Sequence, residues 1–340
     1  MRKIISVLIC VVIVLQLCSC VPTDDTKVTE NITAMNTVMQ ITVFNTSEGT
    51  VEAVAEKMIQ RINEVEKLFD ANLPDSDTSR INSAVTELTV SDETSELLNI
   101  AKKASETTEG AFDITIMPVL KLWGFNDGNY GVADDEVIKD FLEFIDYKNI
   151  SVAGNTVTKN MNTQISLGGI AKGYLGDELL KIADEYGATA LLSLGGNIVL
   201  CGNKSENEKW TVGIKNPKDT ESIACSFKCD GNKSVVTSGA YERYFEYSGK
   251  TYHHIIDPET GYPADSDLLS VTVIGENGAF CDAYSTALFV MGKEKSVAFA
   301  KEHNEFDFIL ITENNEILIT DGVTGIESES GNFTVKSIQR

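Results

Sequence analysis

The chain has 340 residues and a formal net charge of −23, with 51 acidic against 28 basic side chains. That length suits one large domain or two modest ones, and the ordinary apolar content allows a sizeable core. So acidic a chain repels phosphate backbones, which excludes nucleic acid as a partner class, while its sign is compatible with bound cations.

The first residues, MRKIISVLICVVIVLQLCSC, read as an export signal. Arg2 and Lys3 precede an apolar stretch, Ile4 to Leu17, that is too short to span a bilayer comfortably. Leu17-Cys18-Ser19-Cys20 resembles a bacterial lipobox. The expectation is a signal peptide over 1–19, a lipidated Cys20, a flexible tether over 20–33 and a folded domain over 34–340, outside the cytoplasm and anchored to the cell membrane. An uncleaved anchor is the alternative, and it leaves the domain on the same side.

Further along, Met39 to Phe44 alternates as a strand does, and Thr50 to Phe69 carries apolar residues at helical spacing. Ser91 reads as the N-cap of a helix reaching Thr108, and Asp134 to Ile145 as another acidic-start helix. From Ile150 short strands dominate: 150–153, 156–159, 164–167, 190–194, 197–201, 210–214, 223–228 and 234–237, with a helix over 170–186. Tyr241–Tyr247 and Lys250–Ile256 make a hairpin around Ser248-Gly249. A strand over Leu269–Ile274 precedes helices Ala279–Val290 and Lys293–His303, split by Gly292. Phe308–Ile311 and Ile317–Ile319 form a last hairpin. The pattern is neither regular βαβ nor all-β. It predicts an α+β fold, a single large domain with mainly antiparallel sheet flanked by helices. SLGG occurs at 166–169 and at 193–196, which leaves open an internally duplicated core.

Cys225 and Cys229 share a strand face with Cα atoms roughly 13 Å apart, too far for a disulfide. No C-x-x-C pair suggests zinc or redox chemistry.

Some segments could carry chemistry. SLGGIAKGYLGD, Ser166 to Asp177, sets glycines and Lys172 before a helix N-terminus, which suits an anion, although neither the Walker nor the dinucleotide pattern is met. TYHHIIDPETGYP holds His253 and His254, of which only one can face a given site in a strand. In FCDAYSTALF, Asp282 and Thr286 are four residues apart on one helix face, a hard-oxygen pair suited to Mg²⁺ and unsuited to zinc. Asp113 sits among apolar neighbours in EGAFDITIMPVL. SLGGN and VVTSGAYERYF add small residues and the Glu242/Arg243 pair. Each segment alone also has an ordinary structural reading: a tight turn, a core histidine, a helix-start charge.

Taken in order, MNTVMQI, SDTSRIN, GAFDITIMPVL, SLGGIAKGY, SLGGN, TSGAYERYF, HHIIDPETG and CDAYSTALFVMG resemble the FAD:protein FMN transferase (ApbE) family, from about Met35 to the C-terminal hairpin. The resemblance implies an enzyme that binds FAD and Mg²⁺ (Mn²⁺ being the other candidate ion) and cleaves the FAD pyrophosphate. It would pass FMN to a threonine or serine of a partner flavoprotein, such as a subunit of an ion-pumping redox complex, with release of AMP. It implies a metal held by Gly169, Asp282 and Thr286, and His254 as general base. FAD would lie near Met35, Ala111, Phe112, Asp113, Lys172 and Ile256. The chain departs from many relatives at Asn36, where they carry glycine, at Ser166, where they carry aspartate, and at Asn72, where they carry an aromatic residue able to stack on the ligand. Hydrolysis of FAD to FMN and AMP, or flavin binding without catalysis, are the competing functions.

Overall fold

The structure, a computed structural model, describes residues 27–204, 208–328 and 333–340. The expected signal peptide and Cys20 lie outside the described residues.

In chain order, β1 (Val28–Ala34) and β2 (Thr37–Asn45) precede α1 (Val51–Phe69), α2 (Asp77–Ser83), β3 (Glu87–Thr89) and α3 (Asp92–Thr107). Two short helices, α4 (Met117–Leu122) and α5 (Asp135–Leu142), lead to β4 (Ile150–Ala153) and β5 (Thr156–Lys159). Then come α6 (Ala171–Glu185), β6 (Thr189–Ser193), β7 (Asn197–Cys201), β8 (Trp210–Asn216), β9 (Asp219–Cys229) and β10 (Lys233–Gly239). The hairpin β11 (Tyr244–Tyr247) and β12 (Lys250–His253) is followed by β13 (Leu268–Gly275), α7 (Gly278–Glu302), β14 (Asp307–Thr312), β15 (Glu316–Ile319), β16 (Thr324–Ser328) and β17 (Thr334–Ser337).

A nine-stranded sheet, ordered β1-β2-β6-β7-β10-β13-β14-β15-β17, forms the centre. Every neighbouring pair is antiparallel except β15 with β17. Side chains alternate along each strand, so the two faces build separate cores. Leu310, Val199 and Val273 pack with the helices, whereas Ile309, Ile311, Leu200 and Ile274 pack against Trp210, Val212 and Phe227 of the sheet β16-β9-β8. The fold is α+β, with helices on one face and a second sheet on the other.

The helices follow their sequences. Thr50 caps α1 by accepting from the Ala53 N–H, and its stripe of Val54, Met58, Ile62, Val65 and Phe69 is buried. Ser91 caps α3 in the same way. Gly292, at φ 73°, breaks α7 where the split was expected. Cys201, Cys229 and Cys281 are free and, like Cys225, buried. No helix among the described residues is long and apolar enough to cross a membrane.

Some expectations differ from the fold. Residues 28–33, expected as tether, form most of β1, because backbone pairing from Val28 with Val43 to Ala34 with Thr37 holds this largely exposed edge strand. Residues 164–167 are not a strand. Asn82 supplies both bonds to the backbone of Ile165, and Ser166 N–H donates to the Ile114 carbonyl, so side chain and loop replace a ladder. The hairpin β14–β15 is not the last element, since β16 and β17 follow it. The two SLGG segments differ locally: one leads into α6, the other turns between β6 and β7.

Candidate active site

Helices α6 and α7 hold each other by their acidic side chains. Asp177 of α6 accepts the N–H groups of Gly278 (2.6 Å) and Ala279 (3.0 Å) in the first turn of α7. Asp282 of α7 accepts the Gly173 N–H, in the first turn of α6, at 2.9 Å. No side chain of its own caps α6. Each carboxylate therefore satisfies donors that the partner helix leaves open. Burial pushes the Asp177 carboxyl up to about 6 against these bonds.

This interlock puts Asp282 in the wall of a cleft of about 310 Å³. Asp282 is only 4% exposed and meets no cationic side chain among the described residues. Its second oxygen carries no hydrogen bond there. A carboxylate in that state, with one oxygen open to the cleft, is able to take a cation. Thr286 lies one turn on, its Oγ1 3.5 Å from the Asp282 carbonyl and 3.4 Å from Ser238 Oγ. Gly169 abuts both sides of the cleft: a Cβ there would lie 3.2 Å from the Phe112 ring and 3.7 Å from Thr286 Oγ1. A side chain there would crowd the Phe112 ring, so glycine serves close approach here and not a left-handed backbone. No three His, Cys, Asp or Glu side chains converge among the described residues. A cation would rest on one carboxylate supplemented by hydroxyl and carbonyl oxygens, a donor set that fits Mg²⁺ or Mn²⁺.

His254 follows β12 and lines the same cleft. Its Nδ1 is 3.1 Å from the Arg243 carbonyl. A carbonyl can only accept, so Nδ1 carries the hydrogen and Nε2 is left as an unprotonated acceptor. Burial, then the Arg243 charge, then Lys172 and His253, pull its pKa down to about 3. The ring is therefore neutral near pH 7. His253 points the other way, edge-on to Phe289 at 5.5 Å with Nε2 against the Ala264 carbonyl.

Most of the remaining predicted residues line the same cleft. Met35 and Asn36 are the two central residues of the β1–β2 turn, with φ 49° and 59°. This is the primed geometry that favours glycine or asparagine, so Asn36 is a physical equivalent of the glycine expected there. Glu66 fixes the turn by accepting the Met35 N–H at 2.6 Å. Ala111, Phe112, Asp113, Ser166, Lys172 and Ile256 also line the cleft. Asp113 is 7% exposed, and its oxygens accept Thr115 N–H, Thr115 Oγ1–H and Tyr147 N–H. Those bonds commit its carboxylate to shaping the wall. Ser166 Oγ accepts the Gly168 N–H at 3.3 Å, and Lys172 Nζ donates to the Gly168 carbonyl at 3.3 Å. Asn72 is the exception. It lines an adjoining cavity with Phe69 and Phe125, donating to the Asn126 carbonyl at 3.3 Å.

Sequence reasoning did not assign Asn197, Thr237, Ser238 or Arg243 to the site, yet all line the cleft. Their signal lay in SLGGN and TSGAYERYF, whose small residues allow close approach. Asn197 is 2% exposed, and its amide nitrogen has no hydrogen-bond partner among the described residues.

A family model described as the ApbE family matches residues 35–310. The chain belongs to the ApbE family. Its members include an FAD:protein FMN transferase of Klebsiella pneumoniae (strain 342), 35% identical over 79% of this chain and 85% of that protein. Another, from Treponema pallidum (strain Nichols), is 31% identical over 85% of each chain. Among solved structures, the ApbE protein of Thermotoga maritima superposes with a TM-score of 0.80 at 31% identity, covering 90% of this chain and 97% of that one. The flavin transferase ApbE of Vibrio cholerae gives 0.76 at 26% identity, with 90% and 98% covered. The ApbE match spans the turn at Met35, the α6 start, the His254 loop and the first part of α7, all of which meet in the cleft.

Proposed function

We propose that this ApbE-family chain is a Mg²⁺-dependent FAD:protein FMN transferase. One observation carries the reading: a neutral histidine with a free Nε2 shares a cleft with a buried, unpaired carboxylate and a neighbouring hydroxyl and glycine. Asp282, Thr286 and Gly169 would hold the ion. When bound, it would neutralise charge on the pyrophosphate and orient it.

His254 Nε2 would take the proton of an acceptor threonine or serine hydroxyl. The hydroxyl oxygen would form a bond to the FMN phosphorus while the pyrophosphate P–O bond breaks and AMP leaves with the electron pair. The Arg243 carbonyl would hold the Nδ1–H tautomer before the proton is taken and the orientation of the ring afterwards. The walls formed by Ala111, Phe112 and Ile256 would exclude water from the reacting group.

The acceptor would be a flavoprotein outside the cytoplasm, of the kind found in ion-pumping redox complexes. Export and lipid anchoring at Cys20 rest on the N-terminal signal and lipobox of the sequence. Mass spectrometry of the membrane-extracted protein tests this: a diacylated Cys20 at the mature N-terminus is expected.

The decisive assay incubates the protein with FAD and Mg²⁺, with and without an acceptor carrying such a threonine. Release of AMP with flavin bound covalently to the acceptor is expected. AMP with free FMN and an unlabelled acceptor would make the protein an FAD pyrophosphatase, and no AMP in either arm would leave flavin binding alone.

A further inference from the structure

We propose that Arg243 is an anion-binding residue that holds a phosphate of the dinucleotide where the two cavities meet. Arg61, Arg80 and Arg340 each pair with a carboxylate. Arg243 pairs with none among the described residues, in a chain with 51 acidic side chains. Lys172, on the same cleft, also lacks a carboxylate partner among the described residues and donates to the Gly168 carbonyl. Two cations outside any ion pair thus stand in a cleft whose lining also holds Asp113, Glu242 and Asp282, and an anion placed between the two cations would gain the field a pyrophosphate needs.

The position of Arg243 is equally specific. It lines both the main cleft and the adjoining cavity of Asn72, beside Ser166 and Gly168. Its guanidinium carbon lies 5.8 Å from the centre of the Phe125 ring, a cation–π contact that orients the planar fork. Such a fork matches two phosphate oxygens at once. Meanwhile its backbone carbonyl accepts from both Nδ1 and the backbone N–H of His254, at 3.1 and 3.0 Å. One residue would then set the base through its main chain and the phosphate through its side chain.

The identity of the anion rests on the proposed flavin-transfer reading; the anion site itself does not. The test measures binding of FAD, ADP and riboflavin to the wild type and to Arg243→Met and Arg243→Lys by calorimetry. ADP carries the pyrophosphate without flavin, and riboflavin carries the ring without phosphate. Arg243→Met should weaken FAD and ADP by at least about tenfold, leave riboflavin unchanged and flatten the salt dependence of FAD affinity. Arg243→Lys should fall between, since it keeps charge and loses the fork. If Arg243→Met does not fold, Arg243→Gln serves the same comparison. Unchanged ADP and FAD binding, or equal loss of riboflavin, overturns the inference while leaving transferase activity standing. Arg243-dependent ADP binding in a protein that never releases AMP from FAD supports the anion site and overturns the transferase reading.

Discussion

The Asp282 carboxylate accepts the backbone N–H of Gly173 at 2.9 Å, across 109 residues of sequence. The bond ties the start of α6 to the residue expected to hold the metal. A Cβ at Gly173 would overlap the Gly278 carbonyl and lie 2.7 Å from the Asp282 Cβ. Gly173→Ala should therefore force α6 and α7 apart at a cost of about 1–3 kcal/mol. Thermal melting should show a lower midpoint, together with loss of metal-stimulated AMP release. An unchanged midpoint would mean the helices can separate freely.

Asp282→Asn keeps the volume and removes the charge. Magnesium should raise the wild-type melting temperature, by an amount corresponding to about 2.7 kcal/mol at a hundredfold excess over Kd. The variant should show no such rise, and its turnover should fall at least about a hundredfold, equivalent to about 2.7 kcal/mol of barrier. A variant that still responds to Mg²⁺ would place the ion elsewhere.

For His254 the pH dependence has a definite sign. Its pKa in the fold, about 3, lies below the ordinary value of 6.5. Between those values the unfolded chain binds a proton that the folded chain refuses, so this residue makes stability rise with pH and fall as the solution is acidified through that window. Asp177, raised from 3.8 to about 6, acts in the opposite sense over its own window. The check is therefore the stability of the wild type minus that of His254→Gln, a signed difference that should rise from pH 4 to pH 6.5 and level off above it. In kinetics, the acid limb of kcat/KM for the wild type should lie below the ordinary histidine range. A limb at or above 6.5 would remove His254 as the titrating base.

Asn72 lines the adjoining cavity with Phe125 and holds the Asn126 carbonyl. Asn72→Tyr places an aromatic ring there, and stacking is worth about 0.5–1.5 kcal/mol. FAD should bind several-fold more tightly and dissociate more slowly in stopped-flow fluorescence. Equal dissociation rates would show that position 72 does not touch the flavin nucleotide.

Much of this protein could be read from sequence, because the signals were local. The apolar stripe of α1, the Ser91 cap, Gly292 in α7 and the Asp282/Thr286 spacing each follow from residues within one or two turns. Residues 28–33 and 164–167 misled for a complementary reason. The first is polar yet paired along its backbone, and the second is apolar yet bonded by a distant asparagine.

Charge, residue type and spacing set the class of fold and the list of candidate groups. Only the tertiary structure decided which candidates meet, and in what state. Asp113 is among apolar neighbours in sequence, but three hydrogen bonds commit it to the wall. Arg243 looked like half of a charged pair, but it has no ion-pair partner among the described residues and lines both cavities. The neutrality of His254, its tautomer and the isolation of Asp282 arise from burial and from carbonyls and charges distant in sequence. Those are sums over neighbours in space, which a linear pattern does not contain.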